Sequence, residues 1–324
     1  MNGGYIYDRL VVEQLRELGD EVTVISLEPG ARDVPELRTG ALDVLVADAL
    51  CFRDLPTIFR LAPAGLRRVL LIHHLTAWEH PPGAVRAELL ALEGAVLAAA
   101  DACVATSGAT ADRLHVEGLA RRVSVAEPGA DRLPRSATGG QEPSGALLRL
   151  LYVGNILRRK RVLELCATFA GLPASNAELL LVGAELEVDY AAEVRDLIAS
   201  TGEAARIRSL GALPAAGVAE QLALADALVL PSELEGYGMV LSEALWSGVP
   251  VIAARVGAAE QLVALTGAGL LFDPRDAAGL GATLTAFVAD ASLRVRLRRA
   301  AWRAAERLPR WRDTALALRA AFGS

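Results

Sequence analysis

Between Tyr5 and Leu18 the apolar residues Leu10, Val11, Leu15 and Leu18 return at helical spacing, and Gly19 follows as a stop. Glu21 to Leu27 then alternates like a strand, so helix followed by strand is the first unit read from the chain. The same change of period recurs. Strand-like runs stand at Asp43 to Val46, Val69 to His73, Cys103 to Thr106 and Val123 to Ala126, separated by helical stretches such as Ala84 to Ala100. A second series predicts strands at Leu148 to Val153, Glu178 to Val182, Ile207 to Leu210, Ala227 to Leu230 and Val249 to Ala253. The last stretch, Ala291 to Phe322, reads as almost entirely helical. Strands alternating with helices predict parallel sheets.

Leu133 to Ala146 is poor in large apolar groups and rich in turn formers, which predicts an interdomain linker. The length of 324 residues exceeds one ordinary core and fits two domains. The expected fold class is α/β, with two Rossmann-like doubly wound domains over residues 1–134 and 147–305. Residues 306–324 are expected as a C-terminal helix that returns to pack on the first. In such sheets ligands bind beyond the carboxyl ends of the strands, so a cleft between the domains is the expected site.

Composition narrows the function classes. The apolar share is 53%, yet charges such as Glu93, Asp101 and Asp226 interrupt the most apolar windows, and none reaches a membrane span. The start of the chain has no signal-sequence pattern, and the three cysteines, Cys51, Cys103 and Cys166, lie far apart in apolar surroundings. Together they imply a reduced, cytoplasmic setting. No Cys/His pair has metal-ligand spacing, so no protein-bound metal is expected. A net charge of −6 argues against nucleic acid as a partner.

Four stretches could carry chemistry. In Leu228 to Ala253, L-V-L-P-S-E-L-E-G-Y-G-M-V-L-S-E-A-L-W-S-G-V-P-V-I-A, the order is strand, glycine turn, helix, turn, strand. Gly236 and Gly238 suit a sharp turn and close backbone approach by a ligand, and a helix from about Met239 aims free amides at the same spot, a setting for diphosphate. Glu235 and Glu243 add two carboxylates able to accept vicinal hydroxyls; either alone reads as a dipole complement or a solvated helix residue, and the glycines beside them favour a ligand. In Leu151 to Leu163, L-Y-V-G-N-I-L-R-R-K-R-V-L, four basic residues meet a helix start, which is unfavourable unless a polyanion binds there. Lys160 with one of Arg158, Arg159 or Arg161 is the expected diphosphate pair. At the end of a strand, His73 and His74 place one imidazole toward a ligand and leave the other structural. Asn2-Gly3-Gly4 precedes the first helix as a glycine pair suited to close approach.

These pieces resemble glycosyltransferase family 4, the retaining GT-B enzymes, along essentially the whole chain. The P-S-E-L-E-G-Y-G-M-V-L-S-E-A-L-W-S-G-V-P-V-I-A stretch looks like that family's donor motif, whose two glutamates fall on Glu235 and Glu243. V-G-N-I-L-R-R-K-R-V-L looks like its phosphate segment, whose lysine falls on Lys160; V-A-E-P-G-A-D is similar to the turn closing the first domain, and S-L-G-A-L to the base-binding loop. The resemblance implies retaining transfer of a sugar from a UDP- or GDP-sugar donor to a small-molecule or lipid acceptor, without a required metal or a permanently bound cofactor. It makes the first domain the acceptor side and the second the donor side. Glu235 would hold the sugar, Glu243 the ribose, Lys160 the departing diphosphate, and His73 a hydroxyl of the donor sugar. Gly3, Gly4, Asn155, Arg158, Arg159, Leu210, Gly236, Tyr237, Gly238, Met239 and Val240 complete the implied donor contacts. Peripheral membrane contact is a further expectation for a lipid acceptor.

Two departures stand out. Asn155 occupies a position where the family usually has arginine, and Arg161 one where it has glycine. The family's first strand also precedes the glycine loop, whereas this chain begins at that loop, so the first sheet is expected to lack its central strand or the start to be truncated. The alternatives that share the architecture are a non-catalytic sugar-nucleotide-binding subunit and a sugar-nucleotide epimerase.

Overall fold

The computed structural model describes residues 3–28, 30, 34–38, 42–135, 147–173, 176–203 and 205–323; Asn2 and residues 136–146 of the expected linker lie outside them. The chain divides into two compact units, Met1–Gly129 with Pro309–Ser324, and Ala130–Leu308.

The first unit runs α1 (Gly3–Glu17), β1 (Val44–Asp48), α2 (Leu55–Leu61), β2 (Arg67–Ile72), α3 (Ala84–Ala99), β3 (Ala102–Ala105), α4 (Gly108–Val116) and β4 (Val123–Val125). Its four strands are parallel and stand in chain order. The second unit continues with β5 (Leu148–Val153), α5 (Val162–Ala170), β6 (Ala177–Val182), α6 (Val188–Ser200), β7 (Ile207–Gly211), α7 (Ala215–Leu224) and β8 (Ala227–Leu230). It ends with α8 (Met239–Trp246), β9 (Val251–Ala254), α9 (Ala259–Thr266), β10 (Gly269–Phe272), α10 (Gly279–Ala289) and α11 (Ala291–Ala304). The last helix, α12 (Trp311–Arg319), lies on α1 in the first unit. No helix among the described residues is long and apolar enough to cross a membrane.

Three expectations are corrected. Glu21 to Leu27 joins no sheet, although Ile25 and Leu27 alternate with exposed Ser26 and pack on the cluster of Val34, Leu37, Ile58 and Leu66. Only from Ile25 to Leu27 does burial have period two, and a strand also requires a neighbouring ladder for its amides and carbonyls. Gly3 and Gly4 are the first turn of α1, not a loop before it. The helical C-terminus is broken into α11 and α12 near Pro309, whose ring removes a backbone donor. One strand, β10, went unread because Gly-Leu-Leu-Phe is short and does not alternate.

Two contacts fix the loops at the strand ends. In the first unit the buried Glu93 accepts the amides of Thr76 (2.7 Å) and Ala77 (3.1 Å), pinning the turn that follows β2. In the second unit the loops after β5 and β6 touch through Gly154 and Gly183, where a Cβ on Gly183 would lie 1.8 Å from the Gly154 carbonyl oxygen.

The contact between those loops has a measurable consequence. Gly183→Ala is expected to lower stability by about 1–3 kcal/mol, the usual cost of overpacking. Gly94→Ala, in α3 where a Cβ would meet nothing nearer than Leu119 at 3.7 Å, is expected to leave stability unchanged or raise it by about 0.5–1 kcal/mol. Urea unfolding of both variants checks the opposite signs.

Candidate functional site

The second sheet has the order β10-β9-β8-β5-β6-β7, all parallel. The chain runs outward from β5 through β7, then crosses back to β8 and runs outward the other way through β10. The two directions part between β5 and β8, and the loops leaving these strands diverge there, which is where such sheets bind ligands. Residues 154–161 follow β5 and residues 231–238 follow β8, so the fold brings the two most informative sequence stretches to one place.

There Lys160 Nζ donates to Glu235 Oε1, with both side chains nearly buried. Lys160 is the only lysine in the chain; every other basic side chain among the 33 of Lys and Arg type is arginine. Burial alone would raise the Glu235 carboxyl, but the Lys160 ammonium, with the Ser232 hydroxyl and Arg159 nearby, holds it below the ordinary carboxylate value. The two loops are also knit by the Glu233 amide donating to the Arg159 carbonyl (2.8 Å) and by Arg159 Nη1 donating to the Leu234 carbonyl (3.3 Å).

Behind Glu235 stands Gly257, with φ of +56°, where a Cβ would lie 2.8 Å from the Glu235 carbonyl oxygen. Sequence reasoning missed this glycine, although it follows the β9 strand it predicted. The left-handed turn before α8 belongs to Gly238 (φ +86°), whereas Gly236 is not among the glycines of positive φ. Gly238 has no side chain with which to cap α8, so the first-turn amides at Met239 and Val240 receive no side-chain cap. Tyr237 is buried, and its carbonyl accepts the Ala258 amide at 3.4 Å.

The remaining predicted residues part company. Arg158 turns away to α6, where it pairs with Glu193 (2.7 Å) and lies over the Tyr190 ring, so it does not join Lys160. Arg161 adopts φ of +54° as the residue before α5 and donates to the Pro274 carbonyl (2.6 Å) and Glu164 (3.2 Å). Arg159 therefore remains beside Lys160. Asn155 accepts the Tyr152 hydroxyl at its carbonyl (2.9 Å) and stays at the same strand end. Leu210 lies within β7 and packs on the core, and the turn begins at Gly211 (φ +67°). Glu243 is buried to 2% exposure, and both of its oxygens accept Arg132, at 2.6 and 2.8 Å. Arg132 was also missed. It directly follows the V-A-E-P-G-A-D turn, so its place next to a recognised motif was the available signal.

In the first unit His73 follows the end of β2. Its Nε2 lies 3.2 Å from Asp8 Oδ1 on α1 and 3.9 Å from Asp48 Oδ2 at the end of β1. Gly4 faces the same ring, where a Cβ would come within 3.4 Å of its Cδ2. His74 is the structural member of the pair, bonded to Glu79 at 2.9 Å. Donor atoms of Asp8, Asp48 and His73 all lie within 4.8 Å of one another, a juxtaposition no sequence spacing revealed. Burial raises the Asp48 carboxyl to about 6; His73 opposes the rise and Asp8 adds to it.

The Asp48 shift sets a pH dependence. Its value in the fold exceeds the ordinary 3.8, so between about pH 4 and 6 the folded chain keeps a proton that the unfolded chain has lost. The stability from this group is complete below pH 4 and declines as pH rises through 6. Asp48→Asn removes the decline, so its stability relative to the native chain should rise by about 1–3 kcal/mol from pH 4 to 7. Urea unfolding at the two pH values measures it.

Residues 143–303 match the family model described as glycosyl transferases group 1. D-inositol 3-phosphate glycosyltransferase of Corynebacterium efficiens is 30% identical over 197 residues, 56% of this chain and 46% of that protein. Glycogen synthase of Mycobacterium tuberculosis is 29% identical over 247 residues, 72% of this chain and 57% of that protein. The chain thus spans about half the length of the curated relatives it matches. Among solved structures, sucrose-phosphate synthase from Thermosynechococcus elongatus has a TM-score of 0.80 at 22% identity, covering 97% of this chain and 91% of that one. HepE of Anabaena, in complex with UDP and glucose, has a TM-score of 0.71 at 20% identity, covering 85% and 76%. The fold is GT-B, and residues 143–303, within the second unit, are similar to the group 1 glycosyl transferases.

Proposed function

We propose that the chain is a retaining glycosyltransferase that moves a sugar from a UDP- or GDP-linked donor to a hydroxyl of a small-molecule or lipid acceptor. The observation that carries this reading is the Lys160–Glu235 pair, held where the strand order reverses and just before the uncapped start of α8. Departure of a nucleoside diphosphate puts growing negative charge on its terminal phosphate. A fixed ammonium and free helix amides stabilise that charge without having to reorganise. Glu235 orients the ammonium and offers carboxylate oxygens to sugar hydroxyls. The reading places the diphosphate charge on Lys160, the α8 amides and Arg159, and calls on no metal.

Further support comes from the relatives. HepE was solved with UDP and glucose, which favours a uridine donor, and the group 1 match covers the segment that holds Lys160 and Glu235. The ribose role of Glu243 requires Arg132 to give up at least one of its two hydrogen bonds. Cys103 and Cys166 are buried thiols whose values burial pushes up to about 11 and about 12.

Lys160→Arg and Glu235→Gln should each lower kcat/KM by about a hundredfold or more in chains that circular dichroism shows to be folded, and Glu235→Gln, which leaves the ammonium without its carboxylate, should also lower the unfolding midpoint. A compact point charge fits the pair, and a planar guanidinium does not. Because Lys160 is the sole lysine, acylation by an amine reagent reports on it alone apart from the terminal amine, and UDP should protect it. Intact-mass measurement follows that protection. Unchanged turnover in both variants, or no transfer from any member of a nucleotide-sugar panel, removes the reading.

A further inference from the structure

We infer that Arg161 is a positioning residue for Lys160: its backbone ends the turn that presents the ammonium to Glu235, and its side chain holds that backbone in a conformation other residues rarely adopt. The placement of Lys160 stands by itself; its value to catalysis rests on the proposed glycosyl transfer.

The turn Arg158–Lys160 is closed by two backbone bonds, the Lys160 amide donating to the Leu157 carbonyl and the Arg161 amide to the Arg158 carbonyl, both at 2.9 Å. The Arg161 carbonyl then accepts the Leu165 amide at 3.1 Å as α5 begins. One residue therefore finishes the turn that carries Lys160 and opens the helix behind it. It does so at φ +54° and ψ +39°. Among the described residues no other residue except glycine has a positive φ. In this region the Cβ crowds the following carbonyl oxygen, so the conformation persists only where the surroundings impose it.

The guanidinium imposes it. Nη1 donates to the Pro274 carbonyl in the loop after β10 (2.6 Å), and Nε donates to Glu164 in the first turn of α5 (3.2 Å). Packing adds little, because the side chain borders a cavity of about 240 Å³ whose walls include Glu164, Thr168, Pro231, Phe272 and Leu280. Without those two hydrogen bonds residue 161 relaxes toward negative φ, and the chain must shift on one side of it or the other. On the helix side Val162, Leu165, Cys166 and Phe169 are fully buried, whereas the turn contributes no buried residue. The turn moves, and Lys160 moves with it away from Glu235. The guanidinium thus acts on the pair through the backbone and touches neither member.

Acylation of Lys160 by an amine reagent reads this placement without turnover, followed by mass spectrometry on the peptide that contains residue 160. The native chain should react slowly, because the ammonium is nearly buried against Glu235. Arg161→Ala keeps an L side chain and removes both hydrogen bonds, so acylation should rise about tenfold in a chain that circular dichroism shows to be folded. Arg161→Gly and Arg161→Asn also lack the guanidinium but enter the left-handed region readily, and both should return the rate to near the native value. Glu164→Ala removes one of the two bonds, provides the milder test should the alanine variant not fold, and should raise the rate about two- to fivefold. In turnover, Arg161→Ala should lower kcat about tenfold with KM for the acceptor unchanged, and Arg161→Gly should recover most of it. Native acylation in both Arg161→Ala and Glu164→Ala overturns the inference. Glycine and asparagine variants as reactive as the alanine variant overturn it too, since the guanidinium and not the backbone would then be what Lys160 needs. An acylation series as expected in a chain that transfers no sugar removes the transferase reading alone; acylation that ignores residue 161 in a chain that does transfer sugar removes the positioning role alone.

Discussion

A sheet whose strand order reverses cannot close the space beyond the reversal with its own backbone. Between β5 and β8 the two outgoing loops leave in opposite senses, and something must span the gap they create. In this chain the Lys160–Glu235 pair spans it, supported by backbone hydrogen bonds between the same loops. Neither charge is exposed enough to be satisfied by water, so each depends on the other for its burial. Gly257 and Gly238 follow from that constraint. The first lets a neighbouring loop lie against the Glu235 backbone, and the second lets the chain turn into α8.

The predicted strands were legible wherever burial and pairing coincide. Leu148 to Val153 and Ala227 to Leu230 are central, packed on both faces, and fall on the expected residues. Glu21 to Leu27 shows the limit of that logic, because hydrophobic alternation records which side chains are sheltered and not whether a ladder lies alongside. At β9 the expected start at Val249 moves to Val251, since Pro250 has no amide to give a ladder.

The candidate site was legible in its motifs and illegible in its pairings. Glu235, Lys160 and the Gly238 turn lie in continuous stretches whose residue types already name an anion and hydroxyl chemistry. Arg132 and Glu243 are 111 residues apart, and Asp8 and His73 are 65 apart, so no local period connects them. The run of basic residues from Arg158 to Arg161 shows why sign alone misleads. Four adjacent cations read as one patch, yet three elements draw them apart: α6 takes Arg158, the loop before α8 takes Arg159 and Lys160, and the loop after β10 takes Arg161.

The charged residues of the candidate sites share one arrangement within each unit: Glu235 with Lys160, Glu243 with Arg132, His73 with Asp8 and Asp48. A buried charge without a partner costs several kcal/mol, so an unpaired set of this kind would oppose folding. Pairing solves that problem and changes what binding means. Under the proposed function, a diphosphate sugar arriving at the second unit would not meet bare groups whose hydration it must strip away. It would exchange one partner for another, with phosphate taking the ammonium while a hydroxyl takes the carboxylate. Such an exchange yields little net affinity, because each new bond replaces an existing one of similar strength. Its gain is geometric: the groups are held at their working positions before the ligand arrives. Under the proposed function, the net binding energy would come from where no side chain competes, at the first-turn amides of α8.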